Sequence, residues 1–382
     1  MKIACVSSIL KHPWGSPDRL WTELARRSQQ RGDAVFLGIS PLTANNPEVA
    51  LLQTGGAEVF LRMEHSLYRG RRDQLVRRLP WRRHHVLETQ LARFAPELVI
   101  ITQGATYDSL AEHHFVNWLH SSRTPYLVIC HNNNEAEPPG EENIARLRTF
   151  FNGAAQTLFV SSHNLRVAEK HLGGSLPRAG LIQNPLPLNL PAALPTPPVS
   201  AIPVLGLVGR LDIQHKGIDL LLAAVAALPK HSVKLIFTGH CENPDAMNTL
   251  IAAHHLQDCV ELRGPTKPDQ VARAYGELEL FLLPSRFEGC ASAMLEAMMC
   301  GRAVLATPVG GVDDWIEDGI NGYVAPAISV EALTATLSRA PLQRENWPAM
   351  GVAARRAFDQ RRASDPVGSL LRSITVNPLT VT

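Results

Sequence analysis

Short β-type apolar runs alternate with helical patterns along most of the chain. In the first half the runs lie at residues 2–6, 34–39, 58–61, 98–102, 126–129, 157–161 and 180–182. That rhythm predicts parallel strands joined by crossover helices. It restarts further on, with strands predicted at 204–208, 233–238, 259–263, 278–283 and 303–307, and helices near 219–228, 245–255 and 291–300. Between the two series, residues 184–203 read NPLPLNLPAALPTPPVSAIP, seven prolines without sustained periodicity, which predicts a stiff linker. The pattern predicts an α/β protein of two doubly wound, Rossmann-like domains facing a central cleft. One covers residues 1–188 and the other 204–382, with 189–203 between them and the C-terminal segment a candidate to pack back on the first domain.

A chain of 382 residues is long enough for two hydrophobic cores, and 45% hydrophobic against 19% charged residues is a globular composition. A net charge of +2 gives no global polyanion trap, so nucleic acid is not an expected partner. Six cysteines without CxxC spacing read as reduced, mostly buried thiols. The first apolar run is too short for a signal peptide, and no run approaches the ~20 residues of a spanning helix. The expected location is cytoplasmic, with the inner membrane face open as a peripheral site.

Doubly wound sheets bind ligands beyond the carboxyl ends of their strands, which directs attention to the loops there. The loop after the first strand, ILKHPWGSPD, has no GxGxxG, and the second strand ends in GISP without an acidic residue for a ribose. GxxxxGK[ST] is also absent. A nicotinamide enzyme and a P-loop NTPase are therefore not expected. In LGLVGRLDIQHKG, Arg210 and Lys216 stand six residues apart on the loop after a strand, where a guanidinium and an ammonium suit a pyrophosphate. That spacing by itself equally describes two solvated loop cations.

The stretch SRFEGCASAMLEAMMCG (285–301) changes the balance. It is apolar or small almost throughout, ends in a helix-stopping glycine, and carries Glu288 and Glu296 with seven residues between them. A buried carboxylate is costly unless it is hydrogen-bonded, so each glutamate needs a partner. Read as a helix beginning just after Glu288-Gly289, the stretch offers amides near Gly289, Cys290 and Ala291 to an anion. Carboxylates repel a bare phosphate, so Glu288 and Glu296 are expected to accept from hydroxyls. Two helical turns span about 11 Å, comparable to the reach from a ribose across a diphosphate to a sugar. Phosphate and many hydroxyls together describe a nucleotide sugar.

These residues resemble the retaining, GT-B-fold glycosyltransferases of family 4, also called glycosyl transferases group 1. The resemblance rests on Val208-Gly209-Arg210 with Lys216-Gly217, Pro284-Ser285, Glu288-Gly289 with Glu296-Ala297-Met298, Gly301-Arg302-Ala303-Val304, Gly310-Gly311 and Asn321-Gly322. It is strong over residues 204–325 and weak in the first half. It implies that Arg210 and Lys216 bind the donor diphosphate, that Glu296 holds the ribose hydroxyls, and that Glu288 contacts the transferred sugar. The amides of Gly289 and Cys290 would lie against that sugar, and Gly264-Pro265 beside the base, UDP and GDP both being open. His131, after YLVIC, would line the sugar site. Gly15 would approach the diphosphate, although Ser16 stands where the family has a second glycine, and Ala291 replaces a frequent proline. The implied activity is hexosyl transfer with retention, without cofactor or divalent metal. His84-His85, His113-His114 and His254-His255 read as exposed neighbours and not as ligands.

On the acceptor side, seven arginines lie between Arg69 and Arg83, among them Arg71, Arg72, Arg77 and Arg78, interleaved with Leu75, Leu79 and Trp81. The segment reads either as a solvated basic face or as a seat for an anionic membrane or lipid-linked acceptor; a glycan and a small molecule are the other acceptor classes. Two alternatives to a transferase stay open: a catalytically silent nucleotide-sugar-binding protein, and a sugar-nucleotide epimerase of the same shape. The second would need an acid and base pair that the sequence does not display.

Overall fold

The structure is a computed structural model that describes all residues except 11–13, 63–85, 187–193, 198, 268–269 and 377–382. The arginine-rich stretch with Arg71, Arg72, Arg77 and Arg78, the pair His84-His85 and part of the linker lie outside the described residues. Contacts divide the chain into two compact units, Met1–Pro185 with Ala363–Thr382, and Leu186–Arg362.

The first unit is a seven-stranded parallel sheet: β1 (Lys2–Ser7), β2 (Ala34–Ile39), β3 (Glu58–Leu61), β4 (Leu98–Ala105), β5 (Tyr126–Asn132), β6 (Gln156–Phe159) and β7 (Ala179–Leu181). Its order is β3-β2-β1-β4-β5-β6-β7, so the winding direction reverses between β1 and β4. Cys5 of β1 stands beside Leu37 on one side and Ile100 on the other. The helices that matter below are α1 (Ser16–Gln30), α2 (Ser162–Leu172), whose N-cap Ser161 accepts from the Asn164 amide, and the final α3 (Pro366–Val376), which returns to α1 through Arg27–Asp365 at 2.5 Å.

The second unit carries β8 (Val204–Val208), β9 (Lys234–Thr238), β10 (Val260–Arg263), β11 (Leu280–Leu283), β12 (Ala303–Ala306) and β13 (Gly322–Val324) in the order β10-β9-β8-β11-β12-β13. Strand residues alternate between faces. Leu280 and Leu282 of β11 enter one core with Leu205, Leu235 and Leu305, while Phe281 and Leu283 enter the other with Met294, Met298 and Val304. Because helices cover both faces, the strand is apolar at every position, as its sequence predicts. β13 is absent from the predicted strands. Its three residues pair with β12, Gly322 beside Val304 and Val324 beside Ala306.

Arg302 is 3% exposed and has no carboxylate partner among the described residues. It donates to the Tyr275 carbonyl at 2.9 Å and to the Pro195 carbonyl at 2.7 Å, fastening the linker's described end to the second unit. Hydrogen bonds from a charged donor contribute about 1.5–3 kcal/mol each. Arg302→Ala removes both and should therefore lower the urea midpoint of this unit, followed by Trp315 and Trp347 fluorescence, by an amount equivalent to about 3–6 kcal/mol. An unchanged midpoint would show that the tie contributes nothing.

Candidate functional site

In the second sheet the winding reverses between β8 and β11, the position where open α/β sheets bind ligands. The loops leaving these two strands press together. Gly217 has φ +60° and a Cβ there would sit 2.0 Å from the Pro284 carbonyl oxygen, so both its backbone conformation and its neighbour demand glycine. This contact sets Lys216 against Glu288.

Glu288 is 7% exposed. Lys216 Nζ donates to its Oε1 at 2.5 Å and Ser285 Oγ to the same oxygen at 2.7 Å. Both bonds land on Oε1, which leaves Oε2 without a hydrogen bond among the described residues. Burial alone would raise the carboxyl pKa, but the Lys216 ammonium above all, with His215 and the Ser285 hydroxyl behind it, holds the group below its ordinary value. Arg210 lies on the same loop as Lys216, and its Nη2 donates to His215 Nδ1 at 3.1 Å. Arg286, next to Ser285, makes a two-pronged pair with Asp219 at 2.7 Å for each bond.

The helix that follows, α4 (Ser292–Met299), lies within a residue of the predicted 291–300, with Ala291 as N-cap and no side-chain cap. The amides of Gly289, Cys290 and Ala291 thus precede the helix, because the chain there is shaped by a different contact. Gly310, at φ +50°, would place a Cβ 2.3 Å from the Gly289 carbonyl oxygen, and the Gly311 amide donates to that oxygen at 2.7 Å. Only the second half of the Glu288 to Glu296 spacing is helical, and the separation of the two carboxylates is not two helical turns. Glu296 is half-buried and not enclosed. The hydroxyl of fully buried Tyr275 donates to its Oε2 at 2.8 Å. Gly264 and Pro265 are exposed on the loop after the edge strand β10.

The first unit positions the remaining predicted residues. Gly15 caps α1, with Ser16 as the first helical residue and Pro17 in the first turn, where its missing N–H is harmless. The Gly15 amide donates to Asp18 Oδ2 at 2.8 Å, so it is already engaged within the loop. His131 lies inside β5, one residue short of its end, and is 5% exposed. Neither ring nitrogen has a hydrogen-bond partner among the described residues, and burial pushes its pKa down to about 3. Near the reversal between β1 and β4, Asp108 accepts from Ser8 Oγ at 2.7 Å and from the Gly104 amide at 3.0 Å.

Sequence reasoning missed His215, Ser285, Tyr275 and Asp18. Ser285 lies three residues before Glu288 and could have been found from the need of a buried carboxylate for a donor. Tyr275 lies 21 residues before Glu296, and no local pattern connects them. Of the six free cysteines, Cys5, Cys130 and Cys300 are buried, whereas Cys241, Cys259 and Cys290 are partly exposed. Among the described residues no helix is long and apolar enough to cross a membrane, and no three His, Cys, Asp or Glu side chains gather as a metal site.

Residues 202–340 match the family model described as Glycosyl transferases group 1. Similar curated proteins include the glycogen synthase of Alkalilimnicola ehrlichii, 34% identical over 144 residues, 36% of this chain and 30% of that protein. The amylovoran biosynthesis glycosyltransferase AmsK of Erwinia amylovora is 31% identical over 140 residues, 35% of this chain and 34% of its own. The chain thus spans about a third of the length of the curated relatives it matches. Among solved structures, Anabaena HepE in complex with UDP-glucose superimposes with a TM-score of 0.73 at 18% identity, covering 98% of this chain and 99% of that one. Sucrose-phosphate synthase of Thermosynechococcus elongatus gives 0.70 at 18% identity, covering 98% and 99%. The fold is GT-B, two Rossmann-like units, and the resemblance read from the sequence coincides with the family match over the second unit.

Lys216→Met leaves Glu288 buried without its cation, and the variant should lose up to about 3 kcal/mol at pH 7. In the parent the folded pKa is lowered, so the pair's contribution is present above the unfolded carboxylate value of about 4.3 and is lost as pH falls through the folded one. In the variant the Ser285 hydroxyl still donates to Glu288 but the ammonium no longer offsets burial, so the cost of keeping the carboxylate ionised is greater and the deficit should shrink as pH falls toward 4. Urea titrations at pH 7 and pH 4 check this, and a pH-independent deficit contradicts it.

Proposed function

We propose that this chain is a group 1 glycosyltransferase that takes a hexose from a nucleotide sugar and transfers it with retention of anomeric configuration, without a divalent metal. The observation that carries the reading is the grouping of Arg210, Lys216 and Glu288 at the reversal point of the second sheet, with no hydrogen bond to Glu288 Oε2 among the described residues and Glu296 one helical turn inside α4. In this reading Arg210 and Lys216 take the diphosphate, Glu296 accepts from the ribose hydroxyls and Glu288 Oε2 accepts from the sugar. Gly289 and Cys290 lie against the sugar, and Gly264-Pro265 beside the base. His131 is assigned to the sugar site from the first unit. Its two buried nitrogens have no partner among the described residues, and each would then carry a desolvation cost of about 1–3 kcal/mol that a ligand hydroxyl would relieve.

The bond from the anomeric carbon to the phosphate oxygen breaks, and its electron pair leaves with the diphosphate. Arg210 and Lys216 stand where that negative charge develops. The acceptor hydroxyl attacks from the face the diphosphate vacates, forms the new glycosidic bond and gives its proton to the departing phosphate oxygen. Glu288, kept ionised by Lys216, holds the sugar and forms no bond to it. UDP-glucose in HepE makes a UDP-hexose the first donor to test, and GDP and ADP sugars complete the panel. The acceptor classes are a glycan, a lipid-linked molecule or a small molecule, and the Arg69 to Arg83 segment is the proposed seat for an anionic acceptor or membrane surface.

The purified chain should slowly hydrolyse one nucleotide sugar of such a panel in EDTA. Glu288→Ala should lower that rate by about 10²–10³-fold while nucleoside diphosphate binding persists. Glu296→Ala should weaken nucleoside diphosphate binding about 10–100-fold by calorimetry, the loss of a charged hydrogen-bond acceptor. Binding without turnover of any sugar would identify a silent nucleotide-sugar-binding protein, and no binding at all would defeat the reading.

A further inference from the structure

The imidazole of His215 is fixed by two neighbours whose chemistry leaves it one state. Its Nε2 lies 3.0 Å from the Phe287 carbonyl oxygen, which can only accept, so Nε2 carries the proton. Its Nδ1 lies 3.1 Å from Nη2 of Arg210, which can only donate, so Nδ1 carries a lone pair. The ring stacks on Phe287 with centroids 4.4 Å apart and planes 12° apart. Its backbone is pinned as well: the amide donates to Asp212 Oδ1 at 2.8 Å, and the carbonyl accepts from the Arg286 amide at 3.0 Å. One side chain thus joins the guanidinium on the loop after β8 to the carbonyl immediately before Glu288 on the loop after β11.

We infer that His215 is a positioning residue for the donor diphosphate, which in its neutral Nε2–H form aims Arg210 and locks it to the loop bearing Glu288. The inference rests on the proposed role of Arg210. An imidazolium could not serve, because both of its nitrogens donate and Nδ1–H would face the Arg210 cation. The groups around the ring favour the neutral state on balance. Burial lowers its pKa below 6.5 and the Lys216 and Arg210 cations lower it further, whereas Glu288 and Asp212 oppose them. Arg286, on the neighbouring loop, is neutralised by Asp219. The contribution of the neutral ring is therefore present above pH 6.5 and is lost as pH falls through the lower folded value.

Binding of UDP to the full chain by calorimetry between pH 5 and 8 tests the inference, with His215→Asn and His215→Ala beside the parent. Asn offers an acceptor near the Nδ1 position that does not protonate. Titration of the UDP phosphate is common to all three proteins and cancels in their ratios. At pH 7.5 the Ala variant should bind about 10-fold more weakly and the Asn variant within about 3-fold of the parent, since a charged hydrogen bond is worth roughly that factor. Toward pH 5 the parent should lose affinity relative to the Asn variant. An Ala variant that binds like the parent, or a parent whose affinity rises against Asn in acid, overturns the inference. Lys216→Ala separates the two readings: weaker binding there with an unchanged Ala variant at 215 leaves the nucleotide-sugar reading standing and removes this one. A readout without ligand is the ¹⁵N spectrum of the imidazoles, in which the resonance missing from His215→Asn should be neutral and Nε2–H at pH 6.5. An imidazolium or an Nδ1–H tautomer there overturns the inference even if no UDP binds.

Discussion

A carboxylate almost withdrawn from water at Glu288 is the constraint around which the second unit is arranged. Left alone in such surroundings it would be neutral, and it stays ionised because an ammonium and a hydroxyl reach it. Those donors come from different strands, Lys216 after β8 and Ser285 after β11. They meet because the sheet reverses direction between those strands, and because glycine at 217 lets one loop lie against the other's backbone. Replacing both partners with apolar groups would often stabilise a protein, so such a pair is weak evidence for stability and better evidence for use.

The same loops illustrate how a site is oriented through residues that touch no substrate. Gly310 and Gly311 shape the chain from Glu288 to Cys290 by close backbone approach, Tyr275 holds one oxygen of Glu296 from a fully buried position, and Arg286 with Asp219 braces the loop from outside. His215 links Arg210 to the carbonyl before Glu288. In the first unit the pattern is different. Gly15 gives its amide to Asp18, and His131 is buried with neither nitrogen bonded among the described residues. Among the described residues, Lys216 and Glu288 compensate one another in the second unit, whereas the buried imidazole of His131 in the first has no hydrogen-bond partner.

How much was legible in the sequence follows from the range of the interactions. Twelve strands could be read because a strand covered on both faces is apolar at successive positions, a local property, whereas three-residue β13, which pairs with β12, was not among them. Helix α4 could be read within a residue at each end, because its apolar run and the glycine that stops it are local, whereas the close approach of Gly310 to the Gly289 carbonyl could not. The two glutamates could be singled out because ionisable residues among apolar ones demand a partner. The identity of those partners could not, and neither could the degree to which Glu296 is covered.

The sequence by itself determined the fold class, the two-part organisation, and the chemical types gathered near residues 210–216 and 288–296, because periodicity, proline content and charge against apolar background are written within a few residues of one another. The tertiary structure alone decided which donor compensates Glu288, that its Oε2 has no hydrogen bond among the described residues, that Gly15 is engaged by Asp18, and that His215 is a neutral Nε2–H imidazole. Hydrogen bonds and burial act over a few ångströms in space between residues as far apart as Lys216 and Glu288, 72 positions along the chain. No local pattern encodes a distance of that kind; only the packing of the sheet does.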